Sequence, residues 1–315
     1  SGLSFNDMGY HIDFELERDV PELTGKVLLI TGGTGGLGAG AAALLAKRNP
    51  SKIYITGRNE EAAQDVFKRI KDSGSQAQTK FIRCDHTSLE SVREAANVFL
   101  SQETRLDVLM ANAGVMASPP GLTKDGYEYQ FGINHVAHAL LIQKLLPTLQ
   151  KTAKSQGDTR VIILTSLAFV LAPKSGGIVF DELRTTQAYW ILGDFQRYAQ
   201  SKLANLLYGR ELARRYPEIT TIVIHPGESA TSLVNNLSWT QKAVVYGANY
   251  NKFLPEHQGY LNQVWAVGVP KAKVASGELY EPVGVPTQAY TSYCLDKELA
   301  SKLWNWTEEE IKPWL

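Results

Sequence analysis

The chain has 315 residues, 44% hydrophobic and 20% charged, and its 32 basic and 32 acidic side chains leave no formal net charge. That balance excludes charge-driven classes, because neither a nucleic acid nor an anionic membrane surface finds a field to bind. Two cysteines, Cys84 and Cys294, cannot build a disulfide framework, and no Cys/His cluster has zinc-ligand spacing, so no metal site is expected.

Residues 1–22 are rich in charge and read as an N-terminal extension without the apolar centre of a secretory signal. No stretch approaches the ~18 apolar residues of a membrane span. The scarcity of cysteine points to a reducing, cytoplasmic setting. From residue 23 to 315, short apolar β-rich runs alternate with helix-like segments. The spacing predicts strands at 26–31, 52–56, 79–84, 106–111, 160–165 and 220–225, with a seventh near 278–281. Helices are predicted at 37–48, 60–72, 89–100, 126–150 and 198–215. Several strand runs are continuous rather than alternating, as parallel strands buried on both faces require. The expected fold is therefore α/β, one doubly wound Rossmann-type domain with a mostly parallel seven-stranded sheet. Two segments break the rhythm, 168–196 and 232–255. The second holds Trp239, Tyr246, Tyr250 and Phe253 and is the expected substrate loop.

The first strand runs into Thr31-Gly32-Gly33-Thr34-Gly35-Gly36-Leu37-Gly38, which opens a helix. Glycines there permit positive φ and let backbone approach a pyrophosphate, whose charge sits at the helix N-terminus. Gly32, Thr34, Gly36, Leu37 and Gly38 are the candidate contacts. A tight turn with no ligand would use the same glycines. The second strand ends at Arg58, where NAD-selective sites place a carboxylate for the ribose hydroxyls. An arginine fork there suits a 2′-phosphate, so NADP(H) is expected ahead of NAD, although a solvated loop arginine is the bland alternative. Glu60 and Glu61 read as the acidic first turn of the next helix.

Tyr198 and Lys202 are four apart and share one helix face. A free phenol ionises near pH ~10, too high for efficient proton transfer at neutrality, and a neighbouring ammonium lowers that value. Ser166, just past the fifth strand, can donate a hydrogen bond to a substrate oxygen.

Taken in order, the glycine motif, Asn112-Ala113-Gly114, Asn134, Ser166 and Tyr198-x-x-x-Lys202 resemble the short-chain dehydrogenase/reductase family over residues 23–282. The likeness is strongest to retinol-dehydrogenase-like and fungal members, through residues 125–135, 198–205 and 276–284. The resemblance implies that Tyr198 is the general acid in reduction and the general base in oxidation. It implies that Lys202 holds the nicotinamide ribose and tunes Tyr198, that Ser166 orients the carbonyl, and that Asn134 supports a water relay. Asp85 matches the family's adenine-contacting acid and Asn112 its contact near the adenosine. His225-Pro226-Gly227 resembles the turn that meets the carboxamide, with Thr231 as the phosphate-contacting threonine. Ser229 departs from the usual Val or Ile, and its backbone amide would make the contact. The implied activity is NADP(H)-dependent interconversion of a ketone or aldehyde and an alcohol on a hydrophobic small molecule, with fungal specialised metabolism as the expected setting. A cofactor-binding sensor or scaffold, or a non-redox enzyme on the same fold, are the alternatives. The insertion before Tyr198 implies a monomer or homodimer where many members form tetramers. His135, His138, Trp304, Trp306 and Cys84 read as packing or surface residues.

Overall fold

Apolar runs with no polar interruption become the central strands. β1 (Val27–Ile30), β4 (Val108–Ala111), β5 (Arg160–Leu164) and β6 (Thr220–Ile224) are buried at every residue, and β2 (Lys52–Gly57) at all but its ends. β3 (Gln78–Arg83) buries only Ile82, as an edge strand does. The computed structural model describes residues 12–229, 234, 237–248 and 253–315. β7 (Glu228–Ser229) and β8 (Phe253–Leu254) form a separate parallel pair. β9 (Leu279–Glu281) extends the main sheet, and β10 (Val285–Pro286) closes it antiparallel to β9.

The main sheet therefore has eight strands, in the order β10-β9-β6-β5-β4-β1-β2-β3, rather than the expected seven. The extra strand is two residues long and ends in proline, which an edge tolerates but which leaves no period to read. Strand order reverses between β1 and β4, and ligands of open α/β sheets bind at such a reversal, outside the carboxyl ends of the strands.

Eight helices longer than one turn are described: α1 (Gly36–Ala46), α2 (Glu60–Asp72), α3 (Leu89–Gln102), α4 (Ala137–Gln156), α5 (Gly193–Arg215), α6 (Trp239–Ala248), α7 (Leu261–Gly268) and α8 (Lys297–Ile311). One face of the sheet packs Leu28, Ile30, Ile53 and Ile55 against Ala41, Ala42 and Leu45 of α1, Val66 of α2 and Val264 of α7. The other packs Leu29, Val161 and Val223 against Phe99, Leu145, Leu207 and Leu303 of α3, α4, α5 and α8. Each such aliphatic or aromatic side chain contributes ~1.5–3 kcal/mol on burial. Val20, in the expected extension, is buried against Gly268, where a Cβ would lie 2.7 Å from its Cα.

Local signals set the helix ends. Asn59 caps α2 by accepting from the Ala62 amide at 3.1 Å, with Glu60 and Glu61 in the first turn and Arg69 and Lys71 in the last. The helix expected over 126–150 is broken: a turn at Tyr129–Phe131, a π-helical turn at Gly132–Val136, then α4 ending on Gly157 at φ +80°. α5 begins at Gly193, five residues before the expected start.

Candidate active site

The loop after β1 turns through left-handed backbone at Gly32 (φ +64°) and Gly36 (φ +50°), as glycine permits. At Gly38 a Cβ would lie 2.4 Å from the Gly32 carbonyl oxygen and 2.5 Å from Asn112 Nδ2, so any side chain would force the loop apart. Gly35, at the start of α1, provides no side-chain cap, and a Cβ there would meet nothing within 4 Å. The amides of the first turn thus open into a cleft at the positive end of the helix.

Thr34, Gly36, Leu37 and Arg58 line that cleft with Asp85, Asn112, Tyr198 and Lys202. Arg58 is exposed and makes no ion pair among the described residues. Asn59 is committed to the cap of α2, and neither it, Glu60 nor Glu61 lines the cleft. Asp85 accepts from the Thr87 amide at 2.9 Å and hydroxyl at 2.8 Å and pairs with Lys124 at 2.9 Å. Asn112 donates through its amide and Nδ2 to the hydroxyl and carbonyl oxygens of Thr31, each at 2.9 Å. Its Oδ1, the Thr56 hydroxyl and His86 Nε2 are buried without protein partners, and all three residues line the cleft. Uncapped amides, orphaned polar atoms and a glycine with no room for a Cβ fit the pyrophosphate and polar edges of a dinucleotide.

At the other end, α5 buries Tyr198 and Lys202 on one face. Lys202 Nζ lies 5.6 Å from the Tyr198 ring centre and 3.5 Å from the Leu164 carbonyl oxygen. Burial pushes the Lys202 ammonium down to about 8. The Thr165 hydroxyl donates to the Lys202 carbonyl at 2.7 Å, fixing this turn to the end of β5. Ser166 Oγ accepts from the Ala168 amide at 3.1 Å, which leaves its own hydrogen to donate. Asn134 sits in the π-helical turn, fully buried, and holds both the amide (2.8 Å) and the carbonyl (3.0 Å) of Val115. Tyr198 and Lys202 line the cleft, and Ser166 and Asn134 lie buried in the elements that carry it, after β5 and in the π-helical turn.

After β6, Pro226 reaches the cleft and Gly227 turns at φ +87°. Ser229 is placed by its backbone in β7, and Thr231 lies outside the described residues. Only part of the expected substrate loop at 232–255 is described, including α6. Among the described residues no group of three or more His, Cys, Asp or Glu could hold a metal. His135 is buried and bonds to Thr307 at 2.9 Å, and Trp304 stacks on Tyr208 at 4.8 Å. Burial pushes the Cys84 thiol up to about 12, so it is a packing residue.

The family model described as short chain dehydrogenase matches residues 26–242. The chain belongs to the short-chain dehydrogenase family. It is 43% identical over 220 residues to an oxidoreductase of Schizosaccharomyces pombe, a match covering 69% of this chain and 64% of that protein. It is 34% identical over 307 residues to the short-chain dehydrogenase/reductase drtF of Aspergillus calidoustus, covering 93% and 96% of the two chains. Human polyprenol dehydrogenase is 28% identical over 294 residues, covering 92% and 86%. A solved structure from Mycobacterium paratuberculosis superposes with a TM-score of 0.70 at 26% identity, covering 94% and 96%.

Two buried side chains near the cleft carry bonds that the sequence does not announce. Arg197, beside Tyr198, is fully buried and bonds the carbonyls of Gln187 (2.8 Å) and Ser118 (3.1 Å), with Asp194 and Glu128 as its ionic partners. Nothing local distinguishes it from a surface arginine. His138 bridges Asn134 and Thr31.

Proposed function

We propose that this protein is an NADP(H)-dependent oxidoreductase that interconverts a ketone or aldehyde and an alcohol on a hydrophobic small molecule, in the setting of fungal specialised metabolism. The observation that carries the reading is the convergence of Tyr198 and Lys202 with the open glycine loop on one cleft. Gly32, Thr34, Gly36, Leu37 and Gly38 would hold the pyrophosphate, Asp85 and Asn112 the adenosine, and Ser229 and Thr231 the nicotinamide end. Bound there, the nicotinamide supplies or accepts the hydride.

Tyr198 gives its phenolic proton to the carbonyl oxygen in reduction and takes it back in oxidation. The Lys202 ammonium favours the phenolate and holds the nicotinamide ribose hydroxyls. Ser166 donates its hydroxyl hydrogen to the same substrate oxygen and so orients the carbonyl. Asn134 supports a water relay behind Lys202. An apolar cluster of Ala117, Phe195, Leu237 and Val245, with Met116 packed against it, supports a hydrophobic substrate, since it includes chain neighbours of the cleft residue Val115. A relative named for polyprenol, an alcohol, fits the same chemistry. NADPH consumption with a panel of hydrophobic ketones and aldehydes tests the reading. Tight NADPH binding with no consumption across the panel would favour a sensor instead.

Arg58 supports the phosphorylated cofactor. Arg58→Ala is expected to weaken NADPH binding ~10–100-fold through one lost charge-assisted contact, and NADH binding by less than ~3-fold. Equal losses for both cofactors in fluorescence titrations would defeat the 2′-phosphate assignment. Among the described residues no helix is long and apolar enough to cross a membrane. We propose a cytoplasmic monomer or homodimer.

A further inference from the structure

We propose that His138 is a positioning residue that ties the cofactor loops to the catalytic asparagine through two directed hydrogen bonds, and so sets the register between dinucleotide and tetrad. The proposal rests on reading the cleft as a nicotinamide site.

The direction of each bond follows from its neighbours. His138 Nδ1 lies 3.0 Å from the Asn134 carbonyl oxygen, which can only accept, so Nδ1 carries the hydrogen. The ring is buried, and burial holds it neutral, well below the ordinary histidine value. Nε2 therefore has only a lone pair, and the Thr31 hydroxyl 2.8 Å away donates to it. That choice leaves the Thr31 oxygen to accept from the amides of Asn112 and Ala113, each at 2.9 Å. The competing acceptor, the Met110 carbonyl, is 3.4 Å from the same hydroxyl.

The chain segment between these anchors has no slack. Thr31 holds it at Asn112 and Ala113, and the Asn134 side chain clamps it at Val115. Gly114, between the two, sits where a Cβ would be 3.2 Å from Asn134 Oδ1 and 3.5 Å from Lys202 Nζ. Residues 112–115 also line the cleft between the glycine loop and Lys202. Among the described residues His138 is the side chain that bonds to both Thr31 and Asn134, and the His86 ring packs edge-on against it at 4.6 Å. A buried polar chain of this kind specifies one geometry only while every member is satisfied.

His138→Phe and His138→Gln separate positioning from packing. Phenylalanine keeps the ring volume and makes neither bond, whereas glutamine fills the space less well but can donate at one atom and accept at the other. Positioning predicts that His138→Phe weakens NADPH binding ~10-fold and lowers kcat, while His138→Gln stays within ~3-fold of the original. Thr31→Val should cost at least as much as His138→Phe, since it also frees the Asn112 and Ala113 amides, and His138→Phe should add nothing to it in the double variant. Faster amide exchange at residues 112–115 in His138→Phe than in His138→Gln provides a readout of the link that leaves the Thr31 contacts to the Asn112 and Ala113 amides in place. His138→Phe binding as well as or better than His138→Gln, multiplying losses in the double variant, or unchanged exchange would each overturn the proposal. NADPH binding by the unaltered protein is the control: its failure would sink the reading of the cleft, whereas a wrong order among variants sinks the role of His138.

Discussion

Tyr198→Phe is expected to lower turnover ~10²–10⁴-fold, the range that a positioned proton donor contributes. NADPH affinity should stay within ~3-fold, because the affinity is assigned to the glycine loop, the first turn of α1 and Arg58. The ring is buried on α5, and phenylalanine keeps its volume, so the packing beneath it is preserved. The two readouts answer different questions. A protein that still reduces a carbonyl without the phenol has another proton source. One that loses cofactor binding along with turnover uses Tyr198 as a structural or binding group.

Lys202→Met carries the second large effect, and it runs in opposite directions for activity and stability. An ordinary lysine ionises near ~10.4, and burial brings Lys202 down to about 8. Below about pH 8 both folded and unfolded chains hold the proton, and folding must bury the charge at a cost of ~3 kcal/mol. Between about 8 and ~10.4 the unfolded chain binds more protons than the folded one, so this contribution to stability rises with pH. Methionine removes the charge. The cofactor-free variant should therefore gain ~2 kcal/mol in urea unfolding at pH 7, with the gain gone by pH ~10.4, while turnover falls ~10³-fold. In the unaltered protein the charged form is the useful one. Accordingly kcat/KM for NADPH, which reports the free protein, should fall as pH rises through about 8. A variant less stable than the original at pH 7 would mean that the ammonium is compensated within the fold.

The parts of the fold legible in the sequence were those where burial dictates composition. β1, β4, β5 and β6 are wholly buried, so their sequences are unbroken apolar runs, and their order with intervening helices implied the parallel sheet. β10 was not legible, since two residues ending in proline carry no alternation. The π-helical turn at Gly132–Val136 was read as ordinary helix, because its dihedrals are helical and the widened turn leaves little trace in the apolar pattern. The early start of α5 at Gly193 was hidden because its added residues bury Arg197 on ionic partners and only Phe195 in an apolar cluster, too little for a periodic stripe.

The site divides in the same way. Gly32, Asn112, Ser166 and His225 each follow the carboxyl end of a strand, where the topology gathers ligand contacts, and the resemblance to the family's motifs is what singled out Asn112 and His225 in the sequence. The His138 link was not legible. Thr31 lies 107 residues away, and the tautomer that makes the bond depends on a carbonyl placed by the π-helical turn. Thr231 and much of 232–255 fall outside the described residues, and the apolar cluster proposed to face the substrate is described through Met116, Ala117 and Phe195 and a few partners.

A crystal structure of the protein with NADP⁺ and a hydrophobic ketone is the most direct measurement. It should place the pyrophosphate on the Gly32–Gly38 loop and the Lys202 ammonium on the ribose. The ketone carbon should then lie ~3–3.5 Å from the nicotinamide C4, with its oxygen within hydrogen-bond reach of Tyr198. A nicotinamide ring seated away from Tyr198, with no room for a carbonyl between them, would contradict the account.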